Sequence, residues 1–342
     1  MNHLLLRSAK DADLNAIHAL AKESGFGLTT LPKNRTLLAQ RLEHATASWQ
    51  HIRHTPNNEY YLFVLEDPKT NQIIGTSAIE ARTGAESPFY SYKLSKRIKT
   101  LYGRSSKNQH EDELLNLVND HQGHTELCTL YLTPAYRKEQ CGAFLSRARF
   151  LLMSQYPERF AKTVIAEMRG VTTPDGSSPF WDAVGYHFFH LSFIEADRLT
   201  LSTDKQFIAD FMPEYPIYVK LLSAEAQAVI GKPHASTVPA MQLLMNEGFY
   251  YNHYVDIFDA GPVLETPLSQ IKTYQNTAVF ILKKTTQSLK SAPYLISNTS
   301  TDFRATKAFA ELNRNTNTCI LSTKTAALLQ LKPGDPVRIA AF

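Results

Sequence analysis

Residues 126–145 constrain the fold more than any other part of this 342-residue chain. They read Glu126-Leu-Cys-Thr-Leu-Tyr-Leu132, then Thr-Pro-Ala-Tyr-Arg-Lys-Glu-Gln140, then Cys-Gly-Ala-Phe-Leu145. The first run is rich in β-formers and reads as a strand, Pro134 closes it, and the apolar spacing of residues 144–153 reads as a helix. A strand that feeds a helix through a short basic turn calls for a mixed α/β sheet fold, and the preceding segments agree. Residues 4–6 read as a short buried strand, and Asp11 or Asp13 can cap a helix marked by Leu14, Ile17, Leu20 and Ala21. Residues 36–49 carry a second amphipathic helix, and residues 60–66 and 73–81 flank the turn cluster Pro68-Lys-Thr-Asn71 as a hairpin. With residues 163–168 as a further strand, the order is β-α-α-β-β-(insertion)-β-α-β.

The insertion is residues 84–123, where the pattern turns irregular. Lys93, Lys96, Arg97, Lys99, Arg104 and Lys107 give way there to Glu111, Asp112 and Glu113, which reads as a solvated charged face without a site. Further on, a helix holding Phe180, Trp181 and Val184 closes at Gly185-Tyr186, and another from residue 240 closes at Gly248-Phe249. Internal duplication and the ordinary use of glycine at helix ends account for this echo equally well. Beyond Pro267 the chain turns β-rich, at residues 278–282, 319–321 and 337–340, with Pro333-Gly-Asp335 as a turn.

At 43% hydrophobic and 20% charged residues, the composition is that of a globular protein with a real core. A net charge of +4 without a basic tail argues against a nucleic-acid partner. No apolar run approaches the roughly 18 residues that span a bilayer, and residues 1–7 lead into an acidic segment, so no membrane partner and a cytoplasmic location are expected. The widely spaced Cys128, Cys141 and Cys319 suit a reducing compartment and offer neither a disulfide framework nor a cysteine-rich metal site, and no metal is expected.

The turn in residues 126–145 has the makings of an anion site. The first amides of a helix lack internal partners and point, with the positive end of the helix dipole, into the preceding turn. Gly142 lets a phosphate approach the main chain, and Arg137 and Lys138 add charge. A plain strand-to-helix connection, with both cations in solvent, remains open on spacing alone.

Pro134, Arg137, Gly142 and Ala143 resemble the acyl-CoA-binding motif of the GCN5-related N-acetyltransferase superfamily, in which proline is followed by Arg-x-x-Gly-x-Gly/Ala at the start of a helix. Gln140 stands where the first motif glycine is expected; at negative φ it could still donate its backbone N–H, with the turn drawn differently. Seven blocks spread along the chain are similar to the arginine N-succinyltransferase family: Gly27-Leu-Thr-Thr-Leu-Pro32, Pro88-Phe-Tyr-Ser-Tyr92, Thr125-Glu-Leu-Cys-Thr-Leu130, Ala166-Glu-Met-Arg-Gly170, Ser178-Pro-Phe-Trp181, Glu225-Ala-Gln-Ala-Val-Ile-Gly231 and Tyr254-Val-Asp-Ile-Phe-Asp259. The last 70 or so residues match least. The resemblance implies an acyl-CoA-binding fold over residues 1–200 with the insertion at 84–123, a second, catalytic half over 201–266 packed on the first, and a small β-rich segment over 267–342. It also implies succinyl transfer from succinyl-CoA to the α-amine of L-arginine, with Leu130, Arg137, Lys138, Gln140, Gly142 and Ala143 binding succinyl-CoA, and His234 as acid/base. Leu130 would act through its backbone.

Such a transfer needs one proton-transfer group near neutral pH, and histidine is the natural type. His234 lies in Ile230-Gly-Lys-Pro-His-Ala-Ser236, a loop ahead of a helix that leaves a side chain free to reach a cleft. Its competitor His253 alternates with Tyr251 and Val255 and reads as a structural strand residue. Cys128 and Cys141 lack an obvious base, so direct attack by the amine is expected rather than an acyl-enzyme. A guanidinium substrate calls for carboxylates, for which Glu126, Glu167, Asp256 and Asp259 are candidates near strand ends; Arg169 is the guess for the succinyl carboxylate. Rival readings are an N-acyltransferase for ornithine or another basic amino acid, and a non-catalytic acyl-CoA or arginine sensor. A homo- or hetero-oligomer stays open.

Overall fold

The computed structural model describes residues 4–25, 27–50, 54–102, 107–202, 211–289 and 291–342. Strand β1 (Leu5–Ser8) leads through α1 (Leu14–Glu23) and α2 (Arg35–Gln50) to the hairpin β2 (Tyr60–Asp67) and β3 (Gln72–Glu80). Next come β4 (Ser91–Tyr102), β5 (Lys107–Val118) and β6 (Thr125–Leu132), then α3 (Cys141–Arg147), α4 (Arg149–Gln155) and β7 (Thr163–Glu167). Helices α5 (Pro179–Ala183), α6 (Tyr186–Phe189) and α7 (Phe193–Ser202), strand β8 (Ile217–Tyr218), and helices α8 (Ala224–Val229) and α9 (Val238–Glu247) precede β9 (Tyr250–Val255) and β10 (Pro262–Pro267). The expected element order thus stands, and the fold is a mixed α/β sheet.

Antiparallel pairs run β1-β2-β3-β6, β6 meets β7 in parallel, and the sheet continues β7-β10-β9-β4-β5-β8. Strand β2 is buried on both faces: Tyr60, Leu62 and Val64 pack with Ile17, Leu20, Leu38 and Leu42 of α1 and α2, while Tyr61, Phe63 and Leu65 face the cluster of Phe144, Phe150 and Leu151 from α3 and α4. The remaining strands, β11 (Ala278–Thr286), β12 (Pro293–Asn298), β13 (Arg304–Asn313), β14 (Thr318–Ser322) and β15 (Pro336–Ala341), close on themselves in the order β12-β15-β11-β14-β13-β12. This small barrel is welded to the main sheet through the pairing of Leu6 with Ala305.

Four expectations need correction. The segment read as an irregular insertion is a long antiparallel hairpin, β4 with β5, joined to β9 through Tyr92 opposite Val255 and Lys93 opposite Tyr254. Its charges are cross-strand partners: Lys96 stands opposite Glu113 and Arg97 opposite Asp112, and Lys96 bridges Glu111, so opposite charges stabilise the pairing that each strand's composition conceals. Asp13 does not cap α1; its carboxylate turns back to the Lys10 N–H at 2.8 Å and to Arg7 at 2.7 Å. Gly185 has helical angles and opens α6 instead of ending a helix in the left-handed region, as Gly248 does at φ 107°. Glycine is required at 185 because a Cβ would stand 2.3 Å from the Trp181 ring. His253 sits at φ 60° in the bulge of β9 and is exposed, rather than on a regular strand face.

Candidate active site

Strands β6 and β7 pair only at Thr125 with Val164 and Glu126 with Ile165, and then diverge. Beyond Glu126 the edge of β6 is therefore turned to a cleft of about 290 Å³, whose walls include residues 27–30, 126–131 and 167–169. The divergence has a local cause. Thr76 of β3 pairs with Tyr131 and Ala78 with Cys128, so two residues of β6 oppose one of β3, and Thr129 takes φ 56°. Three side chains pin this kink: Thr30 Oγ1 accepts from the Thr129 N–H at 3.1 Å, Thr76 Oγ1 donates to Thr129 O at 3.0 Å, and Tyr60 OH lies 2.5 Å from Thr129 Oγ1. With both main-chain groups of Thr129 engaged, Leu130 is the next residue of β6 that lines the cleft.

After β6 the chain enters the basic turn. Arg137 Nε donates to Leu132 O at 2.9 Å, its guanidinium lies 5.8 Å from the Tyr131 ring centroid, and it lines the cleft. Lys138 is exposed. Gln140 lies at φ 63°, not at the negative φ expected, and Glu139 before it is also left-handed at 51°. The glutamine thus adopts the conformation that a glycine would take there without strain, so the turn is tight although the glycine is missing. A Cβ on Gly142 would meet nothing within 4 Å, so the start of α3 is open beside Ala143. The barrel reaches this turn: Lys307 Nζ donates to Gln140 Oε1 at 2.9 Å.

The loop that carries His234 is stitched to the end of β7. The His234 N–H donates to Arg169 O at 2.8 Å, and Pro233 bridges Gly170. Its Nδ1 lies 2.7 Å from Ser236 Oγ and 3.2 Å from the Ser236 N–H, which leaves Nε2 as the nitrogen that Ser236 does not engage. Burial, then the Arg169 charge, lowers the His234 pKa below its ordinary value. Arg169, Ser236 and Thr237 line the cleft, whereas His234 itself is not among the residues that line it.

Glu126, Glu167, Asp256 and Asp259 also line the cleft. The two aspartates have evident structural duties. Asp256 accepts from the Phe258 and Asp259 N–H groups at 2.7 and 2.9 Å, and buried Asp259 accepts from Gly170 and Gly261 at 2.7 and 2.8 Å. Burial, then the Asp256 charge, raises the Asp259 pKa well above its ordinary value. Glu126 and Glu167 differ, for they border a second cavity of about 290 Å³ as well, together with Thr29, Thr30, Arg41, His44, Glu80 and Glu86. Glu80 of β3 stands directly opposite Glu126 of β6. Like charges in that register repel, and the Arg41 guanidinium on the same cavity is a cation whose charge Glu80 feels. Among the described residues, no three His, Cys, Asp or Glu side chains are grouped to hold a metal ion, and no helix is long and apolar enough to cross a membrane. The three cysteines are free and buried.

A family model described as arginine N-succinyltransferase beta subunit matches residues 4–273, and the model of its C-terminal domain matches residues 281–341. This chain belongs to the arginine N-succinyltransferase beta subunit family. Curated relatives named arginine N-succinyltransferase include one from Photorhabdus laumondii subsp. laumondii, 38% identical over 99% of this chain and 98% of the relative, and one from Salmonella paratyphi B, 39% identical over 98% and 96%. The solved structure of arginine/ornithine succinyltransferase subunit AI from Pseudomonas aeruginosa superimposes with a TM-score of 0.88 at 33% identity, covering 100% of this chain and 99% of that one.

For a member of this family the geometry adds residues that sequence reasoning missed. Glu80, Thr30 and Tyr60 converge on β6 through pairings 46 to 99 positions apart, for which no local signal exists. Lys307 arrives from the barrel across 167 positions. Arg149, a buried cation lining the cleft, follows Arg147 by two positions, and nothing in the sequence marks which of the two is buried.

Proposed function

We propose that this chain transfers a succinyl group from succinyl-CoA to the α-amine of L-arginine, giving N2-succinyl-L-arginine and CoA, as a cytosolic enzyme of arginine degradation. The observation that carries the reading is the cleft opened where β6 leaves β7, with the His234 loop tied to its wall through Arg169. CoA lies along this opening: its pyrophosphate meets the turn at Arg137, Lys138 and Gln140 and the first amides of α3 at Gly142 and Ala143, and its thioester carbonyl meets the main chain at Leu130.

Arginine enters from the side of the second cavity, with its guanidinium before Glu126 and Glu167, and Glu80 beside them; Asp256 serves the cleft mainly by shaping its wall. The amine nitrogen forms a bond to the thioester carbon as the carbon–sulfur bond breaks. With Nδ1 accepting from the Ser236 N–H, the neutral His234 ring carries its proton on Nε2; Nε2–H gives that proton to the leaving sulfur and takes the amine's proton in its place. With an α-amine near pKa 8 and a thiol near 8.5, both transfers are modest and one imidazole suffices. A lowered His234 pKa keeps the ring neutral and ready to accept.

The test is thiol release measured with succinyl-CoA and acetyl-CoA against a panel of amino acids. Succinyl-CoA with arginine should be the best pair, and absence of release with every pair would leave a sensor. Ornithine is the second acceptor to include, since the Pseudomonas aeruginosa relative is titled for both amino acids.

A further inference from the structure

The cleft holds one lining residue that acyl transfer as such does not require. Arg149, the first residue of α4, is 1% exposed and lines the cleft beneath the kinked part of β6. Its Nε donates to Ser146 O at 3.0 Å, its Nη2 to Ser146 Oγ at 3.1 Å and its Nη1 to Ala78 O at 3.4 Å. Ala78 is the residue paired with Cys128, immediately before the left-handed Thr129. All three acceptors are neutral. Among the described residues no carboxylate bridges Arg149, and the one titratable neighbour that acts on it, the Cys128 thiol, is itself held in its neutral form by burial.

Two partly buried arginines are compensated, Arg7 by Asp13 and Glu66 and Arg147 by Glu247; Arg159 and Arg338, like Arg149, bridge no carboxylate among the described residues, but of these three Arg149 alone lines the cleft. A buried guanidinium without an anion is costly, because desolvation is then unrelieved by attraction. Burial lowers its pKa to about 10, still above neutrality, so the group stays cationic. Three of its five N–H groups are used, and each of the two terminal nitrogens keeps one, the pair that a carboxylate takes in bidentate fashion.

We infer that Arg149 binds the distal carboxylate of the dicarboxylic acyl group and thereby selects succinyl over acyl chains without that charge. The inference rests on the reading above that the thioester lies at the kink of β6, from which the acyl chain runs inward to the guanidinium. It displaces Arg169, whose Nη2 donates to Thr172 Oγ1 at 2.8 Å and whose charge acts on His234.

Succinyl-CoA and butyryl-CoA carry four-carbon acyl groups that differ in the carboxylate, and their kcat/KM values with arginine separate the roles. Arg149→Met should lower kcat/KM for succinyl-CoA by roughly 10² or more while leaving butyryl-CoA within a few-fold, because only the charged group loses its partner. Its thermal midpoint should not fall, since an uncompensated buried charge has been removed. If the methionine variant does not fold, Arg149→Lys, which keeps the charge and loses the fork, should still cut the succinyl-to-butyryl ratio about tenfold. An unchanged ratio in the folded variant, or a ratio that collapses in Arg169→Met instead, overturns the assignment. Wild-type protein that releases no thiol from succinyl-CoA with arginine would sink the transferase reading itself, a different failure.

Discussion

The Tyr60 hydroxyl stands 2.5 Å from Thr129 Oγ1 and 3.4 Å from Thr30 O, and so joins the central strand β2 to the kink of β6 and to the loop that covers it. A threonine at φ 56° is strained, and these bonds offset that strain. Tyr60→Phe should therefore let the kink relax and lower kcat with succinyl-CoA about tenfold. Thr129→Gly accepts the same φ freely, so adding it to Tyr60→Phe should restore part of the loss. A double variant no better than Tyr60→Phe alone would mean that the tyrosine acts by packing only.

Leu130 is the adjacent test of the same strand. Its role is assigned to the main chain, so Leu130→Met should leave CoA affinity nearly intact, whereas Leu130→Pro deletes an N–H, distorts β6 and should weaken binding at least tenfold. Calorimetric titration with CoA reads both, and equal losses would count against a backbone contact.

The His234 imidazole is pushed toward its neutral form by burial and by Arg169. The ring accepts a proton only when neutral, so kcat/KM, once corrected for the free-amine fraction of arginine whose own pKa near 8 lowers it toward acid, should fall as pH drops through a pKa below the ordinary histidine value and stay level from there toward neutrality. His234→Ala should abolish that acid limb and lower kcat by roughly 10² to 10⁴ with CoA affinity almost unchanged. A surviving limb in the alanine variant would place the proton transfer on another group.

On the acceptor side, Glu126 is 6% exposed and faces Glu80 across the strand pair, so removing one charge relieves repulsion in the empty enzyme and weakens the grip on a guanidinium. Glu126→Gln should raise the arginine KM about tenfold and leave the succinyl-CoA KM alone. Steady-state kinetics with each substrate varied in turn checks this, and a rise confined to succinyl-CoA would move the guanidinium elsewhere.

What the sequence disclosed follows from how far each signal travels along the chain. The hairpin of β2 and β3 was legible because β-formers flank a local turn cluster, and the turn from β6 into α3 because strand, proline, basic pair and glycine lie within 20 residues. The hairpin of β4 and β5 was hidden because Lys96 and Arg97 announce a solvated face until Glu113 and Asp112 are seen across from them. The acidic wall was half legible, since Glu126 and Glu167 sit in recognisable blocks but Glu80 joins them only through sheet register. The kink at Thr129 left no trace at all, because its cause lies in Thr30, Tyr60 and Thr76 on three other segments.

Gln140 tests whether the turn needs a particular side chain or only a particular backbone. At φ 63° its Cβ is strained by roughly 1 kcal/mol relative to glycine, and its amide gains a 2.9 Å bond from Lys307 in return. The two effects are of similar size, so Gln140→Gly should leave the succinyl-CoA KM within a few-fold and the stability toward urea nearly unchanged. Gln140→Val offers neither the bond nor tolerance of positive φ, and should both destabilise the fold and raise that KM about tenfold as the open amides at Gly142 and Ala143 lose their alignment. Should glycine and valine weaken CoA binding equally, the Lys307 contact, and not the left-handed turn, would be what the phosphates require.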